Sequence, residues 1–350
     1  MPLTSRPIIW SIAASDSAGG AGIQADLKTI HCLKGHGCTL ITAITAQNSL
    51  AVEKITPLSE SDLEAQWQAL ADDLPATAIK IGLLPKPSTL LWLTKRLTLL
   101  RSQSTVFCIW DPVLKASSGA SLLETFNDSL IDPLLSQLDL ITPNLMEAQS
   151  LTGITIESYA DIERAAQQLL TRGVNSVLIK GGHSFADDNP YCRDYFASHE
   201  SSFWLSHPKQ TQINNHGTGC TLATAIASFI AQQHSLSDSV VLANRYIQQS
   251  LRLARPQGQG PGPVWQAIAE NNPVDLALLT YSASGFDSQA ISAQHTPCFP
   301  KASPLGLYAI VDILKDLQHL IQQGVDTLRW RVKVNTDIDS AKREDKTILQ

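Results

Sequence analysis

Residues 214–230, NNHGTGCTLATAIASFI, place Gly217, Thr218, Gly219 and Cys220 where a polar turn gives way to an apolar, small-residue run. A helix starting there presents unpaired backbone N–H groups and the positive end of its dipole, which together make an anion site. Glycine at 217 and 219 lets the backbone approach an anion with no Cβ in the way. The same field favours the Cys220 thiolate over the thiol. Taken alone, the motif reads equally well as a turn feeding a buried helix with Cys220 as packing, because short glycine patterns recur by chance.

A second glycine-rich turn, ASDSAGGAGIQADLKT at residues 14–29, also enters a helical pattern. It does not satisfy GxxxxGK[ST], so it is not a Walker-type phosphate loop. It also lacks the acidic residue, about twenty positions on at the end of a second strand, that a dinucleotide fingerprint needs. A glycine-lined wall beside a small, flat substrate suits it better. Asp26 and Lys28 on its helix read as solvated surface by the usual exposure of such residues, and a lone strand-end lysine such as Lys180 in LIKGGH reads the same way.

These segments need elements to hold them. PIIWSIAAS, CTLITAIT, AIKIGLL, TVFCIWDPV, DLITPN and SVLIKGG read as strands leaving an apolar core at a polar or glycine-containing end. Between them, SDLEAQWQALADDL puts Leu63, Trp67, Leu70 and Leu74 on one helical face, with Ser61 and Glu64 spaced as a capping box. ADIERAAQQLLTRG does the same with Ile162, Ala166, Leu169 and Leu170, and Gly173 is placed to end that helix. The alternation predicts an α/β fold with a mainly parallel sheet covered on both faces. Ligands in such sheets bind beyond the carboxyl ends of the strands, where AASDSAGG, IGLL, DPV, TPN and KGG all fall.

Composition narrows the function class. Of 350 residues, 43% are hydrophobic and 17% charged, as in a soluble globular protein, and the formal charge of −6 offers no basic face for nucleic acid. The amino terminus lacks the shape of a signal peptide, and the apolar run beginning at Leu222 is about half the length of a bilayer crossing. No membrane association is expected. The six cysteines form no CxxC pair and no Cys/His cluster at zinc spacing, which fits a reducing, cytoplasmic setting.

GGAGIQADLKT, TAITAQNS, KIGLL, DPVLKASSG, LITPNLMEAQSLTG, LIKGGH, HGTGCTLATAIA and QGQGPGPV occur in the order and approximate spacing of the bacterial hydroxymethylpyrimidine and phosphomethylpyrimidine kinases of thiamine biosynthesis. The resemblance covers about residues 7–268. It implies a ribokinase-like three-layer α/β/α fold, ATP and Mg²⁺ as cofactors, and two successive phosphorylations. The first acts on the hydroxymethyl group of 4-amino-5-hydroxymethyl-2-methylpyrimidine and the second on the monophosphate.

Carried onto this chain, the resemblance makes Gln47 the pyrimidine-recognising amide, a group with both donor and acceptor. Asp26, Leu83 and Val113 complete that pocket. Gly217, Thr218, Gly219 and Cys220 correspond to the anion hole and base position, with Cys220 accepting the substrate hydroxyl proton. Asn144 and Glu147 correspond to an NxxE element that organises magnesium and phosphate, usually through water; Asp111 is a second candidate for the metal, and Lys180 for a phosphate oxygen. VLKASSGAS departs from relatives that carry a lysine just before SG and an acid just after. Ser117, Ser118 and Ala120 stand around those places, so either Lys115 substitutes or ATP is held more weakly.

After residue 255 the character changes. RPQGQGPGPVW reads as a loop closing a first domain at residue 268, and residues 269–303 as a linker. Residues 304–350 begin a fresh strand, helix and strand that resemble the opening of thiamine phosphate synthase, a TIM barrel. Arg329, Arg331, Lys333 and Val334 stand where that family has Gln-x-Arg-x-Lys and an acid. The segment is far short of the about 250 residues of a barrel, so a truncated fragment without synthase activity is expected. A homodimer and contact with thiamine phosphate synthase are the partner expectations that accompany the resemblance. Two other readings remain: a pyridoxal or pyridoxine kinase, and a non-catalytic pyrimidine-binding scaffold.

Overall fold

The computed structural model describes residues 6–113, 128–181, 191–210, 213–270 and 272–281, and two further strands. In chain order the elements are β1 (Ile8–Asp16), α1 (Gly22–Cys32), β2 (His36–Gln47), β3 (Val52–Pro57), α2 (Glu60–Asp73), β4 (Ala78–Ile81), α3 (Pro87–Arg101) and β5 (Phe107–Trp110). Then follow α4 (Asp128–Leu135), β6 (Leu140–Ile141), α5 (Leu145–Thr152), α6 (Tyr159–Thr171), β7 (Ser176–Ile179), β8 (Tyr191–Ser198) and β9 (Ser202–Pro208). The first unit ends with α7 (Thr218–Ala231), α8 (Leu236–Arg252) and β10 (Leu278–Thr280).

One sheet orders these strands β10-β9-β8-β7-β6-β5-β4-β1-β2-β3. The strands expected from the sequence, β1, β2, β4, β5, β6 and β7, are its parallel centre. Alternating side chains of these strands divide between two cores. Trp10, Ile12, Ile79, Trp110 and Ile141 pack with α2 to α6, whereas Ile9, Ala78, Ile109, Leu140 and Leu178 pack with α1, α7 and α8. The result is three layers, with α7 buried almost all round because its residues from Leu222 onward are small or apolar on every side.

The antiparallel flanks β3, β8, β9 and β10 were not expected. Strand β8 buries Arg193 and Asp194 in mid-strand, which breaks the apolar run that marks the central strands. Their partners explain the tolerance: Arg193 lies over the Tyr159 ring at 4.7 Å, and Asp194 accepts from the Gly181 amide and the Asn244 side chain. Helix α2 starts earlier than the Ser61–Glu64 spacing suggests. Ser59 caps it by accepting from the Asp62 amide, and Glu64 instead accepts from Trp92 Nε1 and pairs with Arg96. Gly173, at φ +109, does follow the end of α6.

The expected linker also changes. Leu278–Thr280 pairs with β9, so the first compact unit runs Met1–Phe286 and the second Asp287–Gln350. In the second unit β11 (Tyr308–Val311) and β12 (Thr327–Trp330) pair in parallel, as a strand, helix and strand require. The intervening expected helix lies outside the described residues, as do Arg331, Lys333 and Val334. Among the described residues no helix is long and apolar enough to cross a membrane.

Candidate active site

The two glycine-rich turns meet. Gly217, at φ +80, caps α7, and a Cβ there would lie 2.0 Å from the Gly20 carbonyl oxygen, so neither the conformation nor the space admits another residue. A Cβ on Gly219 would come within 2.9 Å of Asp111 Oδ2 and 3.1 Å of Lys180 Nζ. The first turn of α7 therefore runs between the loop after β1 and the ends of β5 and β7. Its first intrahelical amide is Thr221, donating to Gly217 O at 2.9 Å. Thr218 donates its amide and hydroxyl to Asn215 O, which removes it from the expected set of anion donors. Gly219 and Cys220 precede Thr221, and their N–H groups are those a helix start leaves for a ligand.

Opposite these amides, Lys180 Nζ donates to Asp111 Oδ1 at 2.7 Å, and Thr142 Oγ1 reaches the same oxygen at 3.3 Å. Burial works against the Lys180 ammonium, but Asp111 and Glu147 outweigh it and hold its pKa above the ordinary value. Asn144 and Glu147 form a reciprocal cap on α5: Asn144 Oδ1 accepts from the Glu147 amide at 2.9 Å, and Glu147 Oε2 from the Asn144 amide at 2.7 Å. The NxxE spacing thus has a structural use here, and it brings Glu147 into the field of Lys180. Asn144 also bridges to Lys180 through the backbone.

Among the described residues no three His, Cys, Asp or Glu side chains converge as a metal cage. Asp111 is committed to Lys180 and Glu147 to the α5 cap. This donor set fits a magnesium ion carried largely by water and phosphate oxygens, the habit of that ion in phosphoryl transfer.

Gln47 ends β2 with its backbone paired to the Ser17 hydroxyl, while its side-chain Nε2 lies 3.2 Å from His216 Nε2. His216 Nε2 is also 3.3 Å from Asp16 Oδ2. Asp16 in turn accepts from the Ala18, Gly20 and Ala21 amides and so shapes the first glycine turn. Burial alone would raise its pKa, but the His216 contact and the Ala18 and Ala21 amides bring it below the usual carboxylate value. Leu83 is buried with Ala14 and Ala43, and its carbonyl accepts from Thr42; Val113, half-buried, follows Asp111. Residues 114–120 of VLKASSGAS, including Lys115, Ser117, Ser118 and Ala120, lie outside the described residues.

Two expectations are corrected. Asp26 is neither solvated surface nor the wall of a pocket: its side chain is fully buried, accepting from Ser11, Thr224 and both ways from Lys80 Nζ. Cys220 is not poised as a thiolate. Burial pushes its thiol up to about 11; Lys80 and the Gly22 amide pull downward, Asp26 and Asp111 upward. The helix-end field is present, but loss of water around the sulfur exceeds it. Sequence reasoning missed Asp16, His216 and Lys80. His216 stood in the quoted motif and Asp16 at a strand end before glycines, whereas Lys80 gave no signal beyond one lysine inside an apolar strand.

The phosphomethylpyrimidine kinase family matches residues 16–265. The bifunctional thiamine biosynthesis protein ThiED of Geobacter sulfurreducens is 37% identical over 77% of this chain, and the match spans 54%, about half, of that protein's length. Hydroxymethylpyrimidine/phosphomethylpyrimidine kinase of Streptomyces coelicolor is 36% identical over 75% of this chain and 95% of its own. The pyridoxal kinase of Staphylococcus aureus, solved with AMP-PCP and pyridoxal, superposes with a TM-score of 0.68 at 26% identity, covering 79% of this chain and 98% of that one. The fold is accordingly ribokinase-like. With glycine turns, strand-end charges and sequence match all falling within residues 16–265, the chain belongs to the phosphomethylpyrimidine kinase family.

Proposed function

We propose that this chain transfers the terminal phosphoryl group of ATP to the hydroxymethyl group of 4-amino-5-hydroxymethyl-2-methylpyrimidine, and then to the resulting monophosphate, in thiamine biosynthesis. The observation that carries this reading is the close approach of Gly219 to both Asp111 and Lys180 at the opening of α7. Amides of Gly219 and Cys220 face the transferring group, which loads charge onto its equatorial oxygens in the transition state. Lys180 exchanges Asp111 for a phosphate oxygen as the nucleotide arrives. Magnesium, when bound, neutralises phosphate charge, with Asp111 and Glu147 acting on its waters.

Cys220 accepts the substrate hydroxyl proton late, as the phosphoryl group departs from ATP. Only the ionised minority of a thiol near 11 takes that proton, and a loose transition state asks little of a base. Gln47 reads the aminopyrimidine edge, with His216 orienting its amide, and Leu83 and Val113 bound the ring.

A second reading is favoured by the superposition on the S. aureus pyridoxal kinase: the same pocket accepts pyridoxal, a similarly flat alcohol. The family match supports the pyrimidine as the better substrate. A cytoplasmic setting, a homodimer, and a fusion or contact with thiamine phosphate synthase complete the proposal; the Geobacter relative, named a bifunctional thiamine biosynthesis protein, supports a fusion.

ADP release measured with the pyrimidine alcohol, its monophosphate and pyridoxal as separate substrates tests it. Turnover on both pyrimidines, with kcat/KM at least about tenfold above pyridoxal, a gap of some 1.4 kcal/mol, is expected. No turnover on either pyrimidine would refute it.

A further inference from the structure

Beneath Cys220 lies a charge pair that the transfer reaction does not touch directly. Lys80, in β4, has no exposed surface, yet it donates to both carboxylate oxygens of Asp26 at 3.0 and 2.8 Å. Ser11 Oγ donates to Asp26 Oδ2 at 2.5 Å and Thr224 Oγ1 to Asp26 Oδ1 at 2.7 Å. One carboxylate thereby ties together β1 through Ser11, α1 through Asp26 itself, β4 through Lys80 and α7 through Thr224. Thr224 is one helical turn beyond Cys220, so it fixes the same face of α7 that carries the thiol. An arrangement of this kind is expensive to bury, and an apolar core of similar volume would be at least as stable. Its retention directly under a thiol at the catalytic turn calls for another use.

We propose that Lys80 and Asp26 are positioning residues for Cys220: their buried pair locks the first turn of α7 over the substrate and sets the charge that the thiol faces. The ionisable groups acting on the thiol are Lys80 from β4, Asp26 from α1 and Asp111 after β5, and Lys180 after β7 in turn feels its charge. Lys80 favours the thiolate; Asp26 and Asp111 oppose it. Removing Lys80 therefore makes Cys220 less reactive and neutralising Asp26 makes it more reactive, whereas a purely structural pair would give losses of one sign. The inference builds on the proposed role of Cys220 as proton acceptor. Its test does not need turnover, so a dispensable Cys220 and an inert Lys80 give separate results.

The test is the rate of Cys220 alkylation by iodoacetamide in the full chain. The Cys220 peptide is quantified by mass spectrometry, with no nucleotide or metal added so that Asp111 and Lys180 stay in one state. A displacement of one pKa unit changes the thiolate fraction tenfold below the pKa and the intrinsic nucleophilicity in the opposite sense, so about a threefold change in rate is expected. D26N is expected to raise the rate by that factor and K80M to lower it, with S11A, which removes one hydrogen bond to Asp26 and neither charge, leaving it unchanged. Where a single variant does not fold, K80M/D26L fills the space with apolar side chains. That double variant removes the Thr224 hydrogen bond that ties α7 to the pair, so its alkylation rate should depart from that of wild type. Folded variants with wild-type reactivity, or D26N and K80M moving the rate the same way, overturn the proposal.

Discussion

Two lysine–aspartate pairs flank the first turn of α7, and they differ in almost everything except chemistry. Lys80 and Asp26 are sealed, with side chains 0% and 0% exposed at 2.8 Å, and both carboxylate oxygens accept from donors on three other elements. Lys180 and Asp111 lie at 2.7 Å but are 16% and 3% exposed; Lys180 uses one oxygen, and among the described residues only Thr142 adds to it. In both, partners overcome burial and keep the ammonium charged. The contrast shows how burial separates one motif into two roles. The closed pair cannot trade partners and serves the frame; the open pair has a cation able to leave its carboxylate for a phosphate.

The clearest way to break this contrast is a crossed measurement. K180M is expected to lower kcat about 10²- to 10³-fold, the loss typical of removing one transition-state charge contact, with a Tm loss smaller than that of K80M because the pair is partly open to solvent. K80M leaves a buried carboxylate unpaired and should cost about 3–5 kcal/mol of stability by denaturant unfolding. A Tm loss in K180M as large as in K80M would erase the distinction. Next, G219A pushes a methyl group against Asp111 and Lys180, and a displacement of that order should cost about a hundredfold in kcat/KM for ATP. An undiminished value would show that the amide face and the open pair work separately.

Smaller effects sharpen the role of the thiol. C220S is expected to lower kcat about a hundredfold, the low end for a proton acceptor, because a thiol near 11 is almost wholly protonated at neutral pH. Wild-type kcat should climb with pH on the way to that value, and the C220S profile should lack the climb. Stability follows with a defined sign. The fold raises the thiol from 9.0 to about 11, so the folded chain holds a proton that the unfolded chain releases. The corresponding stability is complete below pH 9 and is lost as pH rises from 9 toward 11. Wild type should therefore lose Tm relative to C220S across that window. The smallest change belongs to Q47L, which removes neutral hydrogen bonds worth about 1 kcal/mol and should raise the KM for the pyrimidine several-fold while leaving that for ATP unchanged.

How far the sequence could carry this depended on where partners lie. The parallel centre was legible because strands buried on both faces are continuous apolar runs, and glycines entering an apolar helix located the site. Strand β8 was not, since Arg193 and Asp194 look incompatible with burial until Tyr159 and Asn244 are beside them. Asp26 looked like surface for the same reason: its Lys80 partner is 54 residues away and Thr224 is 198. The dipole argument for Cys220 identified a real field but could not weigh it against desolvation, which depends on the whole packed site. The NxxE spacing carried two meanings at once, a helix cap and a charged wall for Lys180.

The most direct test follows phosphorus NMR of one reaction containing the full chain, ATP, magnesium and the pyrimidine alcohol, run in parallel with K180M. The account calls for a monophosphate resonance that rises and then gives way to a diphosphate as ATP is consumed, with both steps slowed together in the variant. ATP left intact by the wild-type chain, or K180M matching it at both steps, would contradict the central claim that the open pair beside α7 is the phosphoryl-transfer site.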